Sequence, residues 1–210
     1  MSATSDLDQD QAPREGLLQS LMPVVVLTII CAVAGATLAG VKIGTAERIE
    51  NQLLVNVQGP ALQKMFPHAA NNVIAERKKF TVKDGRNVVA FPVYERHQLR
   101  AVAIEGIGQG YGGDLGVMVG FNIDNDSLYG IAITISKETP GIGSEVSSSR
   151  FTKQFTGSPD AVALRSNGGE IDAISGATIS STGAVNGVKE AAALYKELKA
   201  ELVKAWPAQQ

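Results

Sequence analysis

The most apolar stretch of the chain lies near its N-terminus. No charged residue occurs between Glu15 and Lys42, and the core of this stretch, Leu21 to Val41, has 21 residues. A helix of that length is about 30 Å long, which matches the hydrocarbon core of a bilayer. Pro23 falls in the first turn, where its missing N–H is tolerated. The pattern therefore predicts a transmembrane helix over 21–41, after a leader over 1–20.

A cleaved signal peptide is the alternative for this segment, and Ala34-Gly35-Ala36 resembles a cleavage site. Two features oppose it. The apolar run is longer than the apolar region of a signal peptide, and the charged residues before it are mainly acidic where a signal peptide is positively charged. We therefore expect a retained single-span anchor. Arg14 on one side and Lys42 and Arg48 on the other do not fix its orientation.

After the anchor, the hydrophobic pattern is first helical and then alternating. Apolar residues at helical spacing predict a helical connector over 42–72, with a break at Gly59-Pro60. Short β-branched runs then predict strands at FTV, VVAFPVY, LRAVAIEGI, GVMVGFNI and LYGIAITI, the last two joined by a DNDS hairpin. The pattern predicts an α+β domain over 73–210, with a mainly antiparallel sheet and flanking helices.

Three further elements are expected after the last of these strands. Ser144 is predicted to cap a short helix that carries two phenylalanines on one face. Residues 163–166 and 170–174 bracket Asn-Gly-Gly, which predicts a second hairpin. An amphipathic helix is predicted from about Ser180 to Lys204.

Composition excludes several classes of function. The formal net charge is −2, with 19 basic and 21 acidic residues, and no basic block predicts a nucleic-acid partner. Cys31 is the single cysteine, so a disulfide within the chain is impossible. His68 and His97 are far apart in sequence, and no metal site is predicted. No hydrolase or nucleotidase motif occurs, and we assign no catalytic residue.

The glycine-rich segment Gly108 to Gly113 (GQGYGG) has the glycine spacing of a dinucleotide-binding loop. That fingerprint requires a helix directly after the loop, whereas the run that follows here is predicted to be a strand. Dinucleotide binding is therefore excluded. The close spacing of the glycines leaves two alternatives, which are the close approach of the backbone to a flat ligand and a bulged turn.

The tetrapeptide Ser175-Gly176-Ala177-Thr178 lies immediately before the predicted C-terminal helix. Unpaired N–H groups and the positive end of the helix dipole favour an anion there. Gly176 permits a turn that other residues resist, and the small side chains of Ser175 and Ala177 would let a phosphate reach the backbone. The alternative is a simple N-cap, which needs no ligand. The residues alone leave both open.

Three segments of the chain resemble one known family. Asp172 to Ser181 (DAISGATISS) resembles the flavinylation motif of covalent FMN-binding domains, D-x-[ST]-G-A-T-x-[ST] with a variable spacer. Glu138 to Gly143 (ETPGIG) resembles the E-T-P-G-[LI]-G loop of that family, and GQGYGG resembles its G-x-G-Y-x-G segment. With the single span, the chain resembles the G subunits of Rnf electron-transport complexes, which are related to the C subunit of the sodium-pumping NADH:quinone reductase.

The resemblance implies a covalent cofactor and the residues that hold it. An FMN transferase would join the phosphate of FMN to Thr178 by a phosphoester bond. The other FMN-binding residues would come from all three segments: Ser175, Gly176, Ala177, Ile179 and Ser180; Glu138, Thr139, Pro140, Gly141, Ile142 and Gly143; and Gly110 and Tyr111.

The resemblance also implies a function and a location. The chain would be a flavoprotein subunit of a translocase, relaying electrons in an Rnf-type complex that couples ferredoxin–NAD electron transfer to ion translocation. It would lie in a bacterial inner membrane beside membrane and iron–sulfur subunits, with its soluble domain on the periplasmic side. The alternatives are a non-catalytic assembly or binding module whose SGAT is only a helix cap, and a stand-alone membrane-tethered flavin reductase.

Overall fold

A computed structural model of the chain describes residues 12–157 and 159–207. The chain divides into two compact units, Met1–Asn51 and Gln52–Gln210. Helix α1 (Ala12–Leu53) contains all described residues of the first unit and the first two residues of the second. Within it, Leu21–Ala46 is apolar enough to cross a membrane: its most apolar 18 residues have a mean hydropathy of 2.5, and none of these residues is buried. The predicted apolar helix is therefore confirmed and extends to Ala46. Residues 1–11 of the predicted leader lie outside the described residues.

The second unit contains an antiparallel sheet of five strands, in the order in which they follow along the chain. The strands are β1 (Lys78–Thr81), β2 (Asn87–Glu95), β3 (Gln98–Gln109), β4 (Asp114–Asn122) and β5 (Leu128–Ile135). Each of the five strands contains one of the predicted apolar runs or most of it. The predicted α+β fold with a mainly antiparallel sheet is confirmed.

Each face of the sheet is covered by helix. Helix α4 (Thr178–Ala205) packs on one face through a buried stripe that includes Val188, Tyr195 and Leu202. The aromatic ring of Tyr195 stacks on that of Phe121 in β4, with the ring centroids 4.4 Å apart. The predicted C-terminal helix is confirmed and begins two residues earlier than expected.

The other face is covered by the second half of the helical connector. A π-helical turn (Leu54–Gln58) leads into helix α2 (Gly59–Met65). Leu54, Leu62 and Phe66 pack with apolar residues of the sheet. The connector from Gln52 onward thus belongs to the same compact unit as the sheet. A domain that starts at residue 73 stays a prediction.

The predicted cap at Ser144 is wrong. Residues Gly143–Ser147 form a 3-10 helix, and the short helix α3 (Ser149–Thr152) follows it. Its N-cap is Ser148, whose extended backbone lets its Oγ accept a hydrogen bond from the Phe151 N–H at 3.4 Å. The Oγ of Ser144 instead accepts a hydrogen bond from the Gly141 N–H at 3.0 Å and closes the preceding turn.

The predicted second hairpin is also wrong. Leu164 and Ile171 form an isolated parallel bridge. A 3-10 turn (Arg165–Asn167) lies between them and ends at Gly168, which has a φ of +81°. The Arg165 N–H donates to the Ile171 carbonyl while the Ile171 N–H donates to the Ala163 carbonyl, so the chain loops around instead of reversing.

Candidate functional site

The three sequence-predicted segments meet at one pocket of about 390 Å³. This volume lies within the range of small-molecule sites. All ten residues that line the pocket belong to the predicted set: Tyr111, Glu138, Thr139, Ile142, Gly143, Gly176, Ala177, Thr178, Ile179 and Ser180. The sequence thus identified residues that the fold brings together from the loop between β3 and β4, from the loop after β5 and from the start of α4. Their roles toward a ligand stay predictions.

Four predicted residues do not line this pocket. Ser175 lines a neighbouring pocket of about 360 Å³. Pro140 and Gly141 are exposed on the loop, and Gly141 has a φ of +81°, which favours glycine in this turn. Gly110 is buried behind the pocket wall, where a Cβ would collide with the Glu138 carboxylate.

Helix α4 begins at the pocket without a side-chain cap. Its N-cap residue is Ala177, which has no acceptor, and Gly176 makes the preceding turn with a φ of +79°. The Oγ of Ser181 accepts from the Ile174 N–H at 3.0 Å and donates to the Ala177 carbonyl at 2.9 Å. The hypothesis that the SGAT hydroxyls cap the helix is therefore wrong. The residues of the first turn line the pocket, and the unpaired N–H groups and positive dipole end of a helix N-terminus favour an anion there.

A buried carboxylate ties the three segments together. The Glu138 side chain is only 8 % exposed. Its Oε2 accepts a hydrogen bond from the Ser180 Oγ at 2.5 Å, and its Oε1 accepts one from the Gly112 N–H at 3.2 Å. We call Glu138, Ser180 and Gly112 the carboxylate bridge. Buried carboxylates need such donors, so the bridge holds the pocket wall in one arrangement.

The carboxylate bridge was not predicted as such. The sequence placed Glu138 in the loop and Ser180 at the helix start, but it gave no signal that they touch. The hydrogen bond between Glu138 and Ser180 requires that the backbone at Gly143 lie very close to the Glu138 carboxylate. A Cβ at Gly143 would lie 2.6 Å from the Glu138 Oε2, so glycine is required there. Gly112 donates to the bridge although it was absent from the predicted site.

The rim of the pocket is apolar and open to solvent. Tyr111 is 73 % exposed, Ile142 is 52 % exposed and Ile179 is 56 % exposed. Large apolar side chains grouped at one opening are typical of a binding surface. Thr178 is also exposed, so its hydroxyl is accessible from outside. An apolar rim beside an uncapped helix N-terminus fits a ligand such as FMN, which has a flat ring at one end and a phosphate at the other.

Comparisons with known proteins agree with this geometry. The model of the FMN-binding domain family matches residues 110–193, which include every residue of the pocket. The chain is 32 % identical over 183 residues to the G subunit of the ion-translocating oxidoreductase complex of Methanosarcina acetivorans, covering 80 % of this chain and 90 % of that one. The chain belongs to the family of these G subunits.

Two further relatives have the same designation. The chain is 29 % identical to the G subunit of the proton-translocating ferredoxin:NAD(+) oxidoreductase complex of Clostridium ljungdahlii, covering 79 % of this chain and 85 % of the relative. It is 30 % identical to the G subunit of the Na(+)-translocating ferredoxin:NAD(+) oxidoreductase complex of Acetobacterium woodii, covering 83 % and 90 %. The similarity to G subunits thus extends over most of the chain.

Two glycines of β3 allow this strand to lie very close to helix α4. Gly106 and Gly108 of β3 face Gly183 and Gly187 of α4, and a Cβ at either strand position would collide with a helix carbonyl. At these two glycines the backbone approaches a helix, and not a flat ligand or a bulged turn, which were the two alternatives that the sequence left open. The strand predicted after the glycine-rich segment is confirmed as β4, where the dinucleotide-binding fingerprint would require a helix.

An ion pair fixes Asp172, three residues before the SGAT segment. Arg165 Nε lies 2.7 Å from Asp172 Oδ1, and this hydrogen bond lowers the pKa of the Asp172 carboxyl. The Asp172 N–H also donates to the Gln154 Oε1 at 2.8 Å. Asp172 therefore positions the chain that leads to Thr178 and does not line its pocket.

Among residues 12–157 and 159–207, no group of three or more His, Cys, Asp or Glu side chains is placed to hold a metal ion. The apolar rim of the pocket and the N-terminus of α4 favour the binding of an organic anion through apolar contacts and backbone N–H groups.

Proposed function

We propose that this chain is a membrane-anchored flavoprotein subunit that carries FMN covalently on Thr178. In this proposal it relays electrons within an Rnf-type complex that couples ferredoxin–NAD electron transfer to ion translocation. The observation that carries the proposal is the exposed Thr178 in the first turn of α4, where no side chain caps the helix. The names of the relatives support the assignment to such a complex.

The residues of the pocket would divide the work of holding FMN. The N–H groups at the start of α4 would face the phosphodiester, whose remaining negative charge is stabilised by the helix dipole. Tyr111, Ile142 and Ile179 would contact the ring through their exposed apolar surfaces. When bound, FMN supplies chemistry that accepts one or two electrons, while the protein supplies its position and surroundings.

The proposed partners follow from the same features. An FMN transferase must reach the hydroxyl of Thr178, and the exposure of that residue supports such access. The partners in electron transfer would be the membrane and iron–sulfur subunits of the complex. Attachment by a covalent bond would keep the cofactor with its carrier on the periplasmic side of the inner membrane.

Replacing Ser175 or Ser180 by alanine should lower the flavin content less than replacing Thr178, because neither serine would carry the ester. Ser180→Ala should have the larger effect of the two, since it removes a donor from the buried Glu138 carboxylate. Flavin absorbance per protein after denaturation measures the order. Equal loss in all three variants would indicate a defect in folding or recognition instead of loss of the ester oxygen.

Glu138→Gln should raise the reduction potential of the flavin while the flavin stays attached. A negative charge beside the ring disfavours the addition of electrons, and glutamine removes this charge while keeping the size of the side chain. Spectroelectrochemistry of the purified protein measures the shift. Ser180→Ala is the matched control, because it weakens the carboxylate bridge and keeps the charge. An unchanged potential in Glu138→Gln would place the ring away from Glu138.

The soluble unit should lie on the periplasmic side. A cysteine at the exposed position Lys204, in a Cys31→Ala background, reports its location through a membrane-impermeant thiol reagent. We expect labelling in whole cells once the outer barrier is permeable. Labelling that requires rupture of the inner membrane would put the flavin on the cytoplasmic side.

A further inference from the structure

The strand β5 forms an edge of the sheet that is not protected against pairing. It is last in the strand order, and its sequence LYGIAITI contains no charge and no proline. Natural edge strands are usually blunted by charged residues, by proline or by a covering segment. In the described part of the chain, the Leu128–Gly157 bridge covers only the start of this edge.

The part of β5 that pairs regularly with β4 is short. The pairing of β4 with β5 shifts register on both sides of Gly130–Ile133. Between these two shifts, four consecutive residues pair regularly with β4. A strand rises about 3.3 Å per residue, so the regular edge is about 13 Å long. This length suits one short extended segment.

The same four residues line a groove of about 560 Å³ within the second unit. One wall is formed by the connector from Asn56 to Met65, and the other by Ser147 and by residues of α3 and the loop that follows. The edge is therefore recessed between two helical walls. A recessed edge admits a single extended segment and excludes the edge of another broad sheet.

The groove is positively charged. Lys64 stands on one wall and Lys153 on the other, and none of the acidic residues whose side chains the structure describes lines the groove. Among the described residues neither lysine has an ion-pair partner. Complementary charge favours an acidic occupant. Pairing of β5 with β5 of a second copy would bring like charges together, because a two-fold contact places the same surface on both sides.

We propose that this groove receives an extended, acidic segment of another subunit of the complex, which adds a strand to Gly130–Ile133. The proposal rests on the proposed function, because that function supplies the complex. Main-chain hydrogen bonds to the free edge would hold the segment, and the two lysines would select its charge. The groove is distinct from the pocket at α4, with which it shares no lining residue.

The direct test is photo-crosslinking in membranes from cells that contain the whole complex. Benzoylphenylalanine replaces Thr156, which is exposed and lines the groove, and Lys189 serves as the control position on α4. We expect Thr156 to crosslink to a peptide of net negative charge in another subunit of the complex. A crosslink only to lipid, a crosslink to a second copy of this chain, or no crosslink in an intact complex would overturn the proposal.

Charge reversal gives an independent test. The double variant Lys64→Glu and Lys153→Glu should reduce the co-purification of the other subunits with a tagged chain by at least about tenfold. The matched control is Lys189→Glu with Lys204→Glu, which changes the net charge equally at exposed positions outside the groove. Equal retention in the two double variants would contradict the proposed charge selection.

Flavin content and thermal stability distinguish failure of the docking proposal from loss of the fold and from failure of the proposed function. The flavin content and thermal transition of the groove variants should match those of the unaltered chain, which shows that the fold is retained. The milder pair Lys64→Gln and Lys153→Gln should give an intermediate loss of partner subunits. Absence of FMN from the unaltered chain would refute the proposed function, whereas normal flavin with unchanged assembly in the groove variants would refute the docking proposal alone.

Discussion

Thr178→Val is expected to abolish covalent flavin while leaving the domain folded. Valine has nearly the shape of threonine and lacks the hydroxyl that the phosphoester requires. Thr178 is exposed and is the first residue of α4, and the cap residue before it is Ala177. The substitution should therefore change the free energy of unfolding by only about 0.5 kcal/mol. Fluorescence of the chain on a denaturing gel under ultraviolet light measures the attached flavin.

Thr182→Val is the matched control for this experiment. Thr182 lies one turn further along α4, and its Oγ1 donates to the Thr178 carbonyl at 2.8 Å. This variant also loses one hydroxyl from the same helix, but it should retain the flavin. Covalent flavin that persists in Thr178→Val would show that another residue carries the ester. Loss in both variants would indicate damage to the start of the helix.

Gly108→Val is expected to destabilise the second unit by about 3 kcal/mol or more. A Cβ at Gly108 would collide with the carbonyl of Gly183, so β3 and α4 would have to move apart. Overpacking of this kind usually costs about 1–3 kcal/mol, and backbone contacts relax less easily than flexible side chains. Chemical denaturation of the purified chain measures the change in the free energy of unfolding.

Gly130→Ala is the control for the glycine experiment. A Cβ at Gly130 would meet the Met65 Cγ at 3.6 Å, which is an ordinary van der Waals contact. The free energy of unfolding should therefore change by less than about 1 kcal/mol. Similar stability of Gly108→Val and the unaltered chain would show that the close contact between β3 and α4 is not required.

The elements that could be predicted from the sequence are those with a strong local pattern. The run at Leu21 is continuously apolar, and the alternating runs of the sheet and the amphipathic stripe of α4 each bury one face in a regular way. The loop at Glu138 and the start of α4 at Thr178 line the same pocket, as the resemblance of both segments to one family led us to expect. Local pattern was sufficient because each of these elements is long or has a distinctive motif.

The missed features depend on how the folded chain packs and not on its local pattern. Nothing in the local sequence shows that Ser148 and not Ser144 takes the extended backbone of an N-cap. The parallel bridge of Leu164 with Ile171 replaced a hairpin because a 3-10 turn intervenes. The contact of Glu138 with Ser180 joins residues 42 positions apart. Such contacts follow from the packing of the sheet against α4, which the hydrophobic pattern does not specify.

The attachment of one FMN to Thr178 is central to the proposed function. The most direct measurement is the intact mass of the chain purified from its own membranes, followed by mass spectrometry of its peptides. We predict an added mass of one FMN less one water, located on Thr178 in the peptide that contains DAISGATISS. An unmodified chain, or an FMN located on a residue other than Thr178, would contradict the proposal.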